Sequence, residues 1–375
     1  MLTRRTFTRG AAGAVALLGV PALRAEADRV LLAQSAPFTG PAAQLGIQFN
    51  LGAKLYFEQL NAQGGVHKKP VTLTHLDDGY EPERCVDNTR KLLAEDPIAL
   101  FGYIGTPTSV AALPLATAAK APFIAPFSGA MALREPFNRN VFHLRASYND
   151  ETALIVKQLT SLGLKKIAVF YQNDAYGKSG LDGVELALAA EGLKPVAKAT
   201  VERNTVNVAP AVKALVAAAP DAIVQISAYK ASAAFIRAAR AGGYGGTFYN
   251  VSFVGTQALA DELGKDGAGV VVSQVVPSPY NTGKPIAREF VEAVKKGGGD
   301  YQANFSSMEG WLAAKVLAEG LKRAARPSRE GLVAGLESLG SQTYGGFNVT
   351  FSPTDHVASK FVELSMLTGD GRVRT

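Results

Sequence analysis

A single cysteine in 375 residues, Cys85, excludes an internal disulfide, so a packed core has to hold this chain together. It lies in a stretch with helical spacing, where a thiol acts first as a small buried apolar group. Histidine is nearly as scarce. His67, His75, His143 and His356 are scattered, and none falls into an H-E-x-x-H or comparable ligand spacing, so no metal site is assigned. An excess of one charge is missing as well: 39 basic and 32 acidic residues give +7. Four of those basic residues and one acidic residue lie in 1–27, which leaves +4 for the remainder. That balance makes no case for nucleic acid or for a membrane surface. After residue 20 no apolar run is long enough to span a bilayer. Neither a short-period repeat nor a low-complexity tract is present.

The signatures of catalysis are absent too. Gly177-Lys178-Ser179 follows an apolar run, but a phosphate-binding loop needs glycine at position 172, which is Gln172. No G-x-G-x-x-G follows a strand, and Gly242-Gly243-Tyr244-Gly245-Gly246 reads as a helix stop and turn. Ser128 has Pro126 and Ala130 where a nucleophile elbow carries glycines. Asp77 and Asp78 are adjacent in a strand, so they point to opposite faces and fit structural or capping roles better than paired acid chemistry. Nothing here favours an enzyme, and no catalytic residue or cofactor is assigned.

What is present begins at the first residues. Thr3-Arg4-Arg5-Thr6-Phe7 matches the twin-arginine export pattern, an apolar run covers Ala11 to Val20, and Ala25-Glu26-Ala27 is an A-x-A cleavage signal. The run is too short for a mature membrane anchor. A signal peptide over 1–27 and a periplasmic protein starting near Asp28 are therefore expected. From there, apolar runs alternate with amphipathic stretches. Strands are expected at 30–33, 71–76, 99–104, 123–125, 167–171, 222–226, 248–251 and 270–275. Helices are expected between them, including 108–119, 150–162, 178–191, 208–218, 230–241, 285–296 and 307–324. Ile167-Ala168-Val169-Phe170 is apolar without alternation, as a strand covered on both faces must be. The fold class is α/β with parallel sheets. The length suggests two domains, with a boundary near Ala146-Ser147 and another near Pro277-Ser278-Pro279.

The stretch 101–130, "FGYIGTPTSVAALPLATAAKAPFIAPFSGA", twice breaks from an apolar run into small and hydroxyl-bearing residues. In open α/β sheets ligands bind beyond the carboxyl ends of the strands. Helix N-termini there offer free N–H groups to a small carboxylate, enough to orient an anion without any Arg or Lys. The same hydroxyls could equally cap their own helices. Composition leaves both readings open.

Five segments together resemble a known family: the export signal, "QSAPFTGPAAQLGIQFNLGAKLYFEQLNAQGGV", "HLDDGYEPERCVDNTRKLLAED", "IAVFYQNDAYGKSG" and "SSMEGWLAAKVLAEGL". The chain looks like a type I periplasmic solute-binding protein of ABC importers, of the leucine/isoleucine/valine-binding kind. The resemblance implies two doubly wound parallel-sheet lobes joined by a three-segment hinge, a ligand held between them, and no catalysis. Lobe 1 is then 28–146 plus 277–354, and lobe 2 is 147–276 plus 355–375. It places ligand-binding groups at Thr106, Phe127, Ser128 and Gly129 in the first lobe, with Tyr176 and Tyr229 closing from the second. Aromatics of that kind also occur at core edges.

Two departures from the family bear on the ligand. The loop Asn250-Val251-Ser252-Phe253 contributes Ser252 and Phe253 to the site but lacks the acid that receives an amino acid's ammonium. A buried ammonium without a partner is costly, and only an acid such as Glu309 or Asp174 could substitute. Leu45 stands where the family often carries an aromatic, leaving room for a longer or aromatic tail. The expected ligand is thus a small carboxylate, either branched-chain amino-acid-like or an aromatic or aliphatic acid. The expected partners are a membrane permease and separate ATPase subunits, with the chain itself a monomer. A periplasmic sensing module for a membrane receptor would share the same fold and pocket. A hydrolase on this scaffold has no motif behind it.

Overall fold

The computed structural model describes residues 29–375; the export signal falls outside the described residues. Two sheets organise the chain. The first takes β1 (Val30–Ala36), β2 (Val71–Asp77), β3 (Ala99–Phe101), β4 (Phe123–Ile124) and β5 (Val141–Phe142). Their order is β2-β1-β3-β4-β5 and every pairing is parallel, with Val30 opposite Val71 and Leu32 opposite Ala99. Helices α1 (Ala43–Ala62), α2 (Pro82–Ala94) and α3 (Thr106–Ala118) connect successive strands.

The chain then crosses to α4 (Tyr148–Ser161) and builds β6 (Ile167–Gln172), β7 (Ala197–Val201), β8 (Ala222–Ile226), β9 (Thr247–Asn250) and β10 (Val271–Gln274). Helices α5 (Ala175–Ala190), α6 (Ala209–Ala217), α7 (Tyr229–Ala241) and α8 (Thr256–Leu263) lie between these strands. The order β7-β6-β8-β9-β10 repeats that of the first sheet, again parallel. A second crossing leads to α9 (Pro285–Gly297), α10 (Phe305–Arg323) and α11 (Arg329–Glu337), with α10 packed along α1. The hairpin β11 (Gly340–Tyr344) and β12 (Phe347–Phe351) follows, and a third crossing reaches β13 (Glu363–Leu367) and β14 (Val373–Arg374).

The parallel pairing expected of the sheets holds from β1 to β10, and the last two strands add to it. β13 pairs antiparallel with β10, and β14 antiparallel with β13, so the second sheet is mixed. The returning segment covers what would otherwise be an open edge of β10. Among the described residues no helix is long and apolar enough to cross a membrane.

Local chemistry explains the element ends nearest the cleft. Ser147 and Asp150 form a reciprocal capping box at the start of α4, Asp174 caps α5, and Asn304 with Ser307 caps α10. Every residue of β8 is buried, in keeping with helices on both faces. The edge strand β7 instead alternates and exposes Lys198 and Thr200. In both sheets the connections leave in opposite directions from two neighbouring strands, β1 and β3 in one, β6 and β8 in the other. Such switch points open a crevice at the strands' carboxyl ends.

Candidate functional site

At the first switch point the loops after β3 and β4 prolong the parallel ladder. Phe127 N–H donates to Tyr103 O at 2.8 Å, Gly105 N–H donates to Phe127 O at 3.2 Å, and Ile104 bridges Phe127. This brings the Thr106 and Ser128 hydroxyls within 2.7 Å of each other, at 1% and 0% exposure. Thr106 makes no capping bond to α3; Thr108 reaches back to the carbonyls of Ile104 and Gly105 instead. Ser128 Oγ also accepts from Ala130 N–H at 3.2 Å. The capping alternative therefore does not account for Thr106.

The second lobe supplies an aromatic wall. Tyr176 sits in the first turn of α5, its N–H donating to Asp174 at 2.9 Å. Its ring lies 4.5 Å from Phe253 and 5.5 Å from Tyr148. Phe253, in a short 3-10 turn after β9, lies 5.7 Å from Phe127 and 5.9 Å from Tyr80, both on the first lobe's loops. Gly129 is tied to the same cluster: its carbonyl accepts from Tyr148 N–H at 2.8 Å, and a Cβ there would stand 2.6 Å from that nitrogen. Thr106, Phe127, Ser128, Gly129, Tyr176 and Phe253 thus meet in one buried cluster between the sheets.

Leu45, Ser252 and Tyr229 surround it. Leu45 is buried against Gly255, where a Cβ would collide with its side chain. The Tyr229 hydroxyl accepts from the N–H of the adjacent Gln44 at 3.4 Å, which puts Tyr229 over the first turn of α1. Both Gln44 and Tyr229 line a recess of about 610 Å³ at the cleft mouth, along with Asp261 and Glu262. Ser252 faces Glu151 behind the aromatic cluster. Its N–H and hydroxyl donate to Glu151 at 2.7 and 3.0 Å.

Two charged residues that the sequence did not single out, Glu151 and Arg145, lie at this junction with Glu309. The Glu151 carboxylate is fully buried and also accepts from the Ser273 hydroxyl at 2.5 Å. Burial raises its pKa, while the Arg145 charge and the Ser273 and Ser252 bonds oppose that rise. Arg145, in the crossing from β5 to α4, donates from Nε and Nη2 to Glu309 of α10, both at 2.8 Å. Its guanidinium stacks 4.0 Å above the Phe127 ring. A buried arginine thus packs on the very loop that carries Ser128, beside the hydroxyls and helix N-termini. Glu309 is committed to that arginine. Asp174 is committed to the α5 N-terminus and to Gln172.

Several polar atoms remain without partners. The hydroxyls of Tyr148 and Tyr176 and Nη1 of Arg145 are all buried and unbonded. Burial pushes Tyr148 up to about 12 although Arg145 pulls the other way, and burial holds Tyr176 well above the usual phenol range. Both phenols are therefore neutral and able to donate. Among the described residues no group of three or more His, Cys, Asp or Glu could hold a metal ion. The signal for Arg145 was a basic residue directly after the apolar run Val141-Phe142-His143-Leu144, at the point already marked as a boundary.

Comparison with known proteins bears on the family and the fold. The family described as periplasmic binding protein matches residues 31–371. The "Leu/Ile/Val-binding protein homolog 7" of Brucella abortus is 29% identical over 328 residues, 82% of this chain and 80% of that protein. Among solved structures, a possible leucine/isoleucine/valine-binding protein from Rhodopirellula baltica superposes with a TM-score of 0.89 at 33% identity, covering 93% of this chain and 96% of the other. A substrate-binding periplasmic protein from Ralstonia solanacearum superposes with a TM-score of 0.86 at 34% identity, covering 92% and 99%.

Proposed function

This chain belongs to the periplasmic binding protein family, and we propose that it captures a small carboxylate between its two lobes and delivers it to an ABC importer. It is a ligand-binding protein of the leucine/isoleucine/valine-binding type rather than an enzyme. The observation that carries the carboxylate reading is the set of neutral hydroxyls gathered from both sides of the cleft. Thr106 and Ser128 come from the first lobe, the Tyr148 hydroxyl lies beside Thr106, and Tyr176 packs on Tyr148 with its own hydroxyl unbonded. Buried donors left unpaired cost about 1–3 kcal/mol each, and an acid oxygen satisfies them. Phe127, Gly129, Phe253 and Leu45 form the apolar wall of the site, with Ser252 behind it and Tyr229 at the mouth.

The proposed ligand carries no amine. Each acid of the buried cluster already has donors: Glu309 takes Arg145, Asp174 takes the α5 N-terminus, and Glu151 takes three bonds from Ser252 and Ser273. An ammonium brought into this cluster would find no carboxylate to itself. A branched aliphatic or aromatic acid fits better than leucine. Export by the twin-arginine route, lobes divided as 28–146 with 277–354 and 147–276 with 355–375, a monomeric state, and docking on a permease with separate ATPase subunits complete the proposal. Ligand would act by favouring the closed arrangement, which alone brings both sets of groups together.

The test is calorimetry of the mature protein against amino acids, 2-oxo acids and aromatic acids, with mass spectrometry of compounds released on denaturation. Binding of an amine-free acid more tightly than leucine is expected. Leucine as the released compound would overturn the amine-free reading, and no binding tighter than about millimolar would overturn the transport role.

A further inference from the structure

Arg145 makes fewer contacts than its surroundings require. It is 1% exposed, and its guanidinium offers five N–H donors in a fixed fork. Nε and Nη2 spend one donor each on Glu309, and the flat face packs on Phe127. Nη1 is buried with no acceptor. Glu309 balances the charge of the arginine but does nothing for the two hydrogens on Nη1. The neighbouring Tyr148, three residues along the same crossing, also has an unbonded hydroxyl. The Phe127 ring beneath the guanidinium belongs to the loop that presents Ser128 to Thr106. Nη1 of Arg145 and the hydroxyls of Tyr148 and Tyr176 are therefore buried donors without a hydrogen-bond partner, grouped around Phe127 and its neighbours.

We propose that Nη1 of Arg145 is a ligand contact, donating to the carboxylate of the captured acid and making the site select an ionised acid over a neutral molecule of the same shape. This rests on the carboxylate reading above. Glu309 is the positioning residue: by holding Nε and Nη2 in a two-point pair it aims the third nitrogen into the cleft. The pair also keeps the empty site near neutrality, so the arginine can stay buried before the acid arrives. Because Arg145 stands in a crossing between the sheets, the acid it binds touches a segment that moves when the lobes change angle.

The experiment compares phenylacetate and 4-methyl-2-oxopentanoate with their primary amides by calorimetry. The proteins are the wild type, the double variant Arg145→Met/Glu309→Met and the double variant Arg145→Gln/Glu309→Gln. Replacing both partners avoids a stranded buried charge, and two different replacements guard against one failing to fold. Thermal melts confirm folding. The wild type is expected to favour acid over amide by about 10- to 100-fold, the span of one charge-assisted hydrogen bond. In a folded double variant that ratio is expected to fall to within about threefold, the acid losing more than the amide. A ratio that survives in a folded double variant overturns the assignment of Arg145 while leaving the carboxylate reading intact. A wild type that binds neither acid overturns both.

Discussion

Arg203 Nη2 donates to Glu81 Oε2 at 2.8 Å, joining the loop after β7 in one sheet to the loop after β2 in the other. The next residue, Asn204, donates to the Gly79 carbonyl at 3.0 Å and to Glu81 at 2.7 Å. Between those two acceptors sits Tyr80, held at a left-handed φ of 64° by its N–H bond to Asp78, with its ring facing Phe253. The lobes are thus clasped by polar groups on either side of the Tyr80–Phe253 contact. Arg203 and Glu81 are 24% and 42% exposed, so water screens the pair and it contributes only about 0.2–1 kcal/mol. Arg203→Ala/Asn204→Ala is expected to weaken acid binding by about 2- to 10-fold, through faster release, while the melting temperature moves little. Stopped-flow release kinetics alongside thermal melts check both parts.

Gly129→Ala is expected to damage fold and site together. The new methyl would stand 2.6 Å from Tyr148 N, a backbone atom that cannot swing aside as a side-chain tip can. Overpacking of this kind costs about 1–3 kcal/mol. The resulting shift would carry Tyr148 away from Thr106. Urea denaturation and calorimetry on the same preparation should show lower stability and lost binding.

Asp78 gives a pH signature with a definite sign. Burial raises its pKa to about 6, although the Ser35 hydroxyl and Tyr80 N–H act against that rise. The native state then holds the proton more tightly than the unfolded chain. This contribution is fully present below pH 4 and is lost as pH climbs to about 6. The groups around it are Asp77, Cys85, Ser35 and Tyr103, and Arg84 is engaged by Asp77. Asp77 does not obscure the window, because its carboxyl is held down at about 2. Burial works against that depression, and bonds from Thr39, Phe38 and Gly79 produce it. Asp78→Asn is expected to flatten the fall in stability between pH 4 and 6 and to add about 2 kcal/mol at pH 7. Urea melts at both pH values measure it.

Cys85 should behave as a folding reporter. It is fully buried, and burial, with the Asp78 charge adding to it, raises its thiol pKa far above the ordinary range. A thiol reagent is expected to leave the native protein untouched and to modify one site on unfolding. Rapid modification of the folded chain would contradict the packing around α2.

Much of the architecture was legible because burial on both faces leaves its mark on a sequence. β8 falls at Ala222–Ile226, the very residues expected, since all five are buried and Gln225 is the one polar residue in the run. Strands with less to bury were missed. β5 is two residues long, β7 alternates at an edge, and β13 earns its place only by pairing with β10 from a distant part of the chain. The loops bearing Thr106 and Ser128 stood out where apolar runs break. Arg145 and Glu151 did not: a charged residue reads as solvent-facing unless its partner is known. For Arg145 that partner is Glu309, 164 positions away.

Five strands of the second sheet repeat the order of the first, and the proposed site draws groups from both sides, so neither sheet holds it alone. Each contributes half a mould, and the fit between halves depends on the angle of the joint. It follows that a docking protein could empty the cleft without competing for it. By prising the lobes a few degrees apart, it would leave the cargo with hydroxyls on one side and water on the other.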